Sequence, residues 1–206
     1  MSTDLSTVNA LIITGFGLNC EKETACAFRT AGAAPEQVHL NDIISGERSL
    51  DDFHILTFIG GFSFGDHIGA GTVFANRVRC QLREQLEQFV ADGKLVLGIC
   101  NGFQTITRLG LVPACDGQYF TQQTAIAKNK QGVFRDSWVM LRVNADSPCV
   151  FTRDIELIPM PVRHGEGRFV PRDDALMERL ERENLAAVKY ADSEDGEPTM
   201  EFPHNP

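Results

Sequence analysis

The most informative segment of this chain is Leu95-Val-Leu-Gly-Ile-Cys-Asn-Gly-Phe-Gln104. It begins with an apolar run that is typical of a buried strand, and one glycine lies two residues to either side of Cys100. Small flanking residues permit a sharp turn from strand to helix that holds a nucleophile above a sheet. The segment therefore predicts a strand over 94–99, a nucleophile elbow at Cys100 and a helix over 101–109.

The predicted helix start has consequences for the chemistry of Cys100. A helix N-terminus offers unpaired N–H groups and the positive end of the helix dipole, and both stabilise a thiolate. The N–H of Asn101 can also donate to an oxyanion that develops on an attacked carbonyl. A lone cysteine is more often an inert buried thiol, but the strand–Gly-x-Cys-x-Gly–helix context favours a nucleophile.

The segments that precede this elbow alternate between strand and helix patterns. Strands are predicted over 9–14, 37–40 and 54–59, and helices over 21–31 and 73–90. Such alternation predicts βαβ units that build a three-layer α/β fold, with a mostly parallel sheet and helices on both of its faces. Ligands bind such sheets at the carboxyl ends of the strands. Cys100 and the glycine-rich turn after Ile59 both fall at strand ends of this kind.

The turn after Ile59 contains two successive glycines, Gly60 and Gly61. Glycine lets the backbone approach a ligand closely and direct its N–H groups at it. The alternative interpretation is an ordinary tight turn. Ser63 and Asp66 are interpreted as turn-forming residues rather than catalytic ones.

The pattern changes after Pro113. Half-exposed strands are predicted over 119–127 and 137–143, a charged helix over 173–182, a strand over 185–190 and a loop over 191–206. The segment 159–169 is polar and rich in glycine. Neither an internal repeat nor a low-complexity tract interrupts the chain, and we predict a single domain over 1–206.

Composition argues against several functional classes. The 206 residues include 28 acidic and 19 basic ones, a formal charge of −9, so nucleic acid is not an expected partner. The apolar runs fall short of the roughly 18 residues that a membrane span needs. The first seven residues lack the features of a signal peptide, so a cytoplasmic protein is expected. The six cysteines form no Cys-x-x-Cys pair, and no metal site is predicted.

Four segments resemble one known family. Gly98-Ile-Cys-Asn-Gly-Phe-Gln104 is similar to the nucleophile motif of class I glutamine amidotransferases, in particular the glutaminase subunit or domain of phosphoribosylformylglycinamidine synthase. The other three resemble motifs of the same branch, and they are Gly15-Phe-Gly-Leu-Asn-Cys20, Gly60-Gly-Phe-Ser-Phe-Gly-Asp66 and His164-Gly-Glu-Gly-Arg-Phe169. The resemblance spans 10–206 and implies the flavodoxin-like fold of a single amidotransferase domain.

The resemblance also implies roles for particular residues. It makes Cys100 the nucleophile that attacks the side-chain amide of L-glutamine, and it gives the second oxyanion donor to the Gly60–Gly61 turn. It puts Gln104 near the glutamine substrate, although a glutamine on the helix surface fits the sequence as well. Cys20 and Cys115 are interpreted as packing residues.

The implied partners follow from the same family. Ammonia passes to a large synthase subunit or domain that makes formylglycinamidine ribonucleotide in purine biosynthesis, and the resemblance allows a small accessory subunit. ATP and magnesium are expected on the synthase, with no cofactor bound directly here, because this sequence contains no Gly-x-x-x-x-Gly-Lys-Ser/Thr loop.

One departure from the family concerns the general base. The family's triad His and Glu lie in a late Pro-His-Pro-Glu segment, whereas this sequence ends Glu201-Phe-Pro-His-Asn-Pro206. The resemblance therefore predicts a domain that is incomplete at its C-terminus and lacks the catalytic strand with these residues. His164 and Glu166, two apart on a predicted strand face, are candidates for a substitute base pair or for the rim of the site.

Three functional hypotheses follow. The leading one is a glutaminase that acts through a thioester on Cys100. The second is a non-catalytic amidotransferase-like binding subunit, which the absent Pro-His-Pro-Glu segment favours. The third is a cysteine hydrolase of related fold that acts on another amide or a peptide.

Overall fold

The structure is a computed structural model that describes residues 7–206. The segment from which a cytoplasmic location was predicted lies almost wholly outside the described residues. Contacts divide the chain into two compact units, one that ends at Gln123 and one that spans Thr124–Pro206. The assignment of 1–206 to one incomplete amidotransferase domain stays a prediction.

The first unit contains a four-stranded parallel sheet with helices on both faces. In chain order its elements are β1 (Asn9–Thr14), α1 (Glu21–Thr30), β2 (Ala34–His39), α2 (Leu40–Ile44), β3 (Ile55–Phe58), α3 (Thr72–Ala91), β4 (Leu95–Gly98) and α4 (Asn101–Leu109). The strand order is β2-β1-β3-β4, and every neighbouring pair is parallel. The predicted α/β fold is confirmed.

The central strand β1 shows why the sheet is covered on both sides. Leu11 and Ile13 belong to the larger core, whereas Ile12 belongs to a second core with Ala25 of α1. Successive side chains of a strand point to opposite faces, so a continuous apolar run requires two apolar faces. β1 therefore contributes side chains to the cores on both faces of the sheet.

Helix α3 supplies more buried side chains to the larger core than any other element. Its five largest buried side chains are at most 2 % exposed and recur every three or four residues, namely Phe74, Val78, Leu82, Leu86 and Phe89. This spacing places them on one face of the helix. Each such burial contributes about 1.5–3 kcal/mol relative to an exposed side chain, which fixes α3 against the sheet.

The second unit is built from antiparallel strands. Its elements are β5 (Thr124–Lys128), β6 (Arg135–Val143), β7 (Leu157–His164), β8 (Glu166–Pro171), α5 (Asp174–Arg182) and β9 (Val188–Ala191). β5 pairs with β8, and a three-stranded sheet has the order β7-β6-β9. The glycine-rich segment 159–169 is therefore mostly strand.

Within residues 7–206, no helix is both long enough and apolar enough to cross a membrane.

Candidate active site

Three loops of the first unit meet at the carboxyl edge of its sheet. The loop after β1 forms an isolated bridge between Leu18 and Gly61, which follows β3. In that bridge the Asn19 N–H donates to the Gly60 carbonyl at 3.3 Å, and the Phe62 N–H donates to a carbonyl of the first loop at 3.0 Å. Gly60 also lies beside Cys100, since a Cβ added to it would be 3.4 Å from the Cys100 Cβ. The edge thus gathers three of the four segments that the sequence singled out, those of the first unit.

Cys100 occupies a strained turn between β4 and α4. Its backbone angles are φ 55° and ψ −115°, and its side chain is exposed. A non-glycine residue rarely adopts a positive φ, and such positions cost on the order of 1–3 kcal/mol. The turn is the elbow that the spacing of Gly98 and Gly102 predicts, whereas the nucleophilic role of Cys100 stays a prediction.

Neither of the two glycines that flank Cys100, Gly98 and Gly102, leaves room for a side chain. A Cβ on Gly98 would lie 2.6 Å from the Ile106 Cδ1 atom, and one on Gly102 would overlap the Phe58 carbonyl oxygen. Neither glycine has a positive φ in the left-handed region. Close approach of α4 to β3 and β4, rather than backbone freedom, therefore explains these two residues.

Two backbone donors border the cysteine. The N–H groups of Gly61 and Asn101 donate to no other group within the part of the chain that the structure describes. Gly61 has a φ of 136°, and a Cβ on it would lie 2.6 Å from the Gly17 carbonyl oxygen. Only glycine fits there, because the turn approaches the loop after β1 so closely.

The side chain of Asn101 connects the elbow to the loop after β3. Asn101 is 1 % exposed and its amide donates to both carboxylate oxygens of Asp66 at 3.1 Å. Its carbonyl oxygen accepts the Ser63 N–H at 3.2 Å, and the Asp66 carboxylate accepts the Gly71 N–H at 3.0 Å. Sequence reasoning interpreted Ser63 and Asp66 as turn formers and missed this network, because the partners are separated by more than 30 residues.

Gln104 lies one helical turn after Cys100 and is half-buried. Its side-chain oxygen accepts a hydrogen bond from the Asn101 amide at 3.2 Å. It is therefore attached to the same network, and its contact with glutamine stays a prediction.

Cys20 lies next to the same glycine as Cys100. The point that a Gly60 Cβ would occupy is 3.3 Å from the Cys20 sulfur and 3.9 Å from the Cys100 sulfur. Burial raises the pKa of the Cys20 thiol, and the negative charge of Glu23 raises it further. Cys115, in contrast, is 5 % exposed, as expected for a packing residue.

His164 and Glu166 do not lie on one strand. β7 ends at His164 and β8 begins at Glu166, and the two strands belong to different sheets. The premise that both side chains share a strand face is wrong, because Gly165 interrupts the strand between them. In the antiparallel register of β5 and β8, Glu166 lies opposite Lys128.

The partner of His164 is Asn129. Its Nδ1 atom lies 2.8 Å from the Asn129 side-chain oxygen, while the Asn129 amide donates to the His164 and Val133 carbonyls. The Asn129 oxygen is therefore an acceptor, so Nδ1 carries the proton. Nε2 is buried and has no hydrogen-bond partner among residues 7–206, and burial lowers the pKa of His164.

Comparison with known proteins places this geometry in a family. Residues 7–206 match the family model of the CobB/CobQ-like glutamine amidotransferase domain. The chain is 42% identical over 196 residues to phosphoribosylformylglycinamidine synthase subunit PurQ of Methanococcus maripaludis strain C5, covering 95% of this chain and 72% of that protein. Its identity to the PurQ subunit of Dehalococcoides mccartyi is 39% over 204 residues, or 98% of this chain and 76% of that one.

A solved structure agrees. The structure of PurLQS from Thermotoga maritima is similar with a TM-score of 0.65 and 31% sequence identity, over 82% of this chain and 72% of that chain. The elbow, the parallel sheet and the sequence matches therefore point in one direction. This chain belongs to the CobB/CobQ-like glutamine amidotransferase domain family, together with the PurQ subunits of phosphoribosylformylglycinamidine synthase.

Proposed function

We propose that this chain hydrolyses the side-chain amide of L-glutamine through a thioester on Cys100 and delivers ammonia to a synthase partner. The observation that carries the proposal is the exposed sulfur of Cys100 on a strained elbow at the start of α4. The unused N–H groups of Gly61 and Asn101 belong to the two loops that border it. A nucleophile beside preorganised donors is the arrangement that acyl transfer requires.

In the proposed reaction, the Cys100 thiolate attacks the carboxamide carbon and a tetrahedral intermediate forms. The N–H groups of Gly61 and Asn101 hold the oxyanion, ammonia leaves after its nitrogen takes up a proton, and water then hydrolyses the thioester to glutamate. The family resemblance assigns that proton transfer to the histidine of a Pro-His-Pro-Glu segment. His164 and Glu166 stay predictions for a substitute base pair or for the rim of the site.

The proposed partner is the subunit that makes formylglycinamidine ribonucleotide in purine biosynthesis. The support is the name of the relatives, subunits of phosphoribosylformylglycinamidine synthase, and the likeness to a chain of PurLQS. ATP and magnesium would be bound by that partner, an accessory subunit would complete the complex, and the reaction would take place in the cytoplasm.

The second candidate is a binding subunit without catalysis. The observation in its favour is that the ring of His164 is held by the Asn129 side chain rather than by a carboxylate. On this hypothesis the chain would bind the synthase but would form no thioester.

The test is reaction of Cys100 with an electrophilic analogue of glutamine, together with glutamate release from glutamine in the presence of the synthase subunit. We expect labelling of Cys100 that glutamine prevents, and loss of both signals in Cys100→Ala. Cys26→Ala is the matched control, because Cys26 is exposed on α1 and remote from the elbow in sequence. The proposal would be overturned if glutamine did not reduce the labelling of Cys100 and if Cys100→Ala released glutamate at the wild-type rate.

A further inference from the structure

We propose that Cys20 and Cys100 form a reversible disulfide when a hydroperoxide oxidises Cys100. The disulfide would make the Cys100 sulfur unavailable for attack on glutamine. Oxidation of the pair would therefore switch off the proposed glutaminase, and reduction would restore it. This regulatory meaning rests on the proposed function, but formation of the bond does not.

The first argument is the position of the two sulfur atoms around Gly60. Both border the single point that a Gly60 side chain would fill, at 3.3 Å for Cys20 and 3.9 Å for Cys100. Because residue 60 is glycine, that point is empty of protein atoms, and rotation of the two thiols toward it brings the sulfurs together. The S–S bond itself is about 2.05 Å long, so both side chains must move.

The second argument is that backbone contacts hold the two cysteines in place. Cys20 is the residue before α1, and Cys100 is the residue before α4. The loop of Cys20 is joined to the turn after β3 by the Leu18–Gly61 bridge and by the bond from the Asn19 N–H to the Gly60 carbonyl. The same turn is joined to the residue after Cys100, because the Ser63 N–H donates to the Asn101 side chain. The cysteines therefore stay neighbours although 80 residues separate them in sequence.

The third argument concerns the order of the two steps. Cys100 is exposed and is the sulfur that a peroxide in solution reaches, whereas Cys20 is half-buried. Burial and the carboxylate of Glu23 raise the pKa of Cys20, so this thiol is a poor first target of an oxidant. Cys20 would therefore react in the second step, in which its sulfur attacks the oxidised sulfur of Cys100.

The steps balance as follows in atoms and electrons. The Cys100 thiolate attacks one oxygen of hydrogen peroxide, the O–O bond breaks, and hydroxide leaves, which gives a sulfenic acid and reduces the peroxide by two electrons. The Cys20 sulfur then attacks the Cys100 sulfur, an S–S bond forms, and the S–O bond breaks. The departing hydroxide takes the Cys20 proton as water. A dithiol reverses the reaction by exchange.

The experiment treats the full chain with hydrogen peroxide and maps its peptides by mass spectrometry without reduction. We expect a linked pair of peptides that contain Cys20 and Cys100, and its loss after dithiothreitol. In Cys20→Ser we expect Cys100 to proceed to the sulfinic acid, which dithiothreitol does not restore. Cys26→Ser, another cysteine substitution near the same end of the chain, should behave as the wild type.

Gly60→Ala provides a second, independent measurement. Its φ is outside the left-handed region, so alanine is compatible with the backbone, and the methyl group would occupy the point between the two sulfurs. We expect at least a tenfold lower yield of the linked peptides. Linkage of Cys100 to a different cysteine, or equal sulfinic acid in wild type and Cys20→Ser, would overturn the proposal.

The outcomes separate this proposal from the proposed function. A Cys20–Cys100 disulfide in a chain that shows no glutamine-protected labelling of Cys100 supports the redox pair and overturns the glutaminase alone. Glutamine-protected labelling without any disulfide supports the glutaminase and overturns the redox pair alone.

Discussion

The side-chain amide of Asn101 donates to both carboxylate oxygens of Asp66, each at 3.1 Å. Asn101 is the first residue of α4, directly after Cys100, and Asp66 closes the turn that begins at Gly60. The pair therefore fixes one candidate oxyanion donor relative to the other. Hydrogen bonds to a charged group contribute about 1.5–3 kcal/mol, more than bonds between neutral groups.

The first prediction follows from this pair. Asp66→Ala removes the carboxylate that accepts from the Asn101 amide and from the Gly71 N–H, so the turn after β3 loses one of its attachments to α4. We expect glutamine hydrolysis to fall in kcat by about tenfold to a hundredfold, the scale of a small misplacement of reacting groups. KM for glutamine should change less.

The control for Asp66→Ala is Glu84→Ala, which removes a carboxylate from an exposed position on α3. A purely structural role would lower the amount of folded enzyme without changing kcat per site labelled by the glutamine analogue. Unchanged kcat per labelled site in Asp66→Ala would contradict the positioning role.

The second prediction concerns the strain at Cys100. Because its φ is 55° and its ψ is −115°, glycine is better suited to the position than any residue with a Cβ. We expect Cys100→Gly to raise the free energy of unfolding by about 1 kcal/mol relative to Cys100→Ala, while both variants lack glutaminase activity. Urea denaturation of the two variants measures the difference, and equal stabilities would show that the turn relaxes without the sulfur.

The third prediction tests the packing of α4 on the sheet. A Cβ on Gly102 would overlap the Phe58 carbonyl oxygen, whereas one on Gly165 would meet no atom closer than 4.0 Å. We expect Gly102→Ala to lower the free energy of unfolding by about 1–3 kcal/mol or more through overpacking. Gly165→Ala should change stability by less than about 0.5 kcal/mol, typical of an unobstructed site. Thermal unfolding of both variants provides the comparison.

The fourth prediction is a pH dependence from His164. Burial lowers its pKa below the usual 6.5, so the folded protein binds this proton less readily than the unfolded chain. The stability contributed by neutral His164 is then fully present above about pH 6.5 and is lost as the pH falls through the folded-state pKa.

Chemical denaturation at neutral and mildly acidic pH measures this effect. We expect the loss of stability on acidification to be smaller in His164→Gln than in the wild type, because glutamine does not titrate. Protonation would also give the buried Nε2 a hydrogen that finds no acceptor among residues 7–206. Parallel pH profiles of the two proteins would show that His164 is not the responsible group.

Local pattern was sufficient to predict most elements of the first unit. The apolar runs of β1 and β3, the spacing of α3 and the glycines around Cys100 each act within a few residues. The short helix α2 escaped prediction because its N-terminus is capped by the ring of His39, which accepts the Asn41 N–H at 3.1 Å. A histidine is not among the residues that usually signal a helix start.

The rest depended on contacts between distant residues. The sequence of β7 and β8 is polar and rich in glycine, and by itself it does not predict strands. The two segments are strands because β7 pairs with β6 and β8 pairs with β5. The His164–Asn129 contact has the same cause, since its partners are 35 residues apart. Pairing across such separations leaves no periodic signal in a single sequence.

The loop after β3 is attached to both ends of α4, through Ser63 and Asp66 on Asn101 and through the Ala70 carbonyl, which accepts from the Arg108 side chain at 2.6 Å. The segment between these attachments is therefore held against the helix in the folded chain. Its conformational entropy is lost when the chain folds, before any ligand arrives. Glutamine would thus meet a loop that is already attached to α4, and its binding would carry less of the cost of ordering that loop.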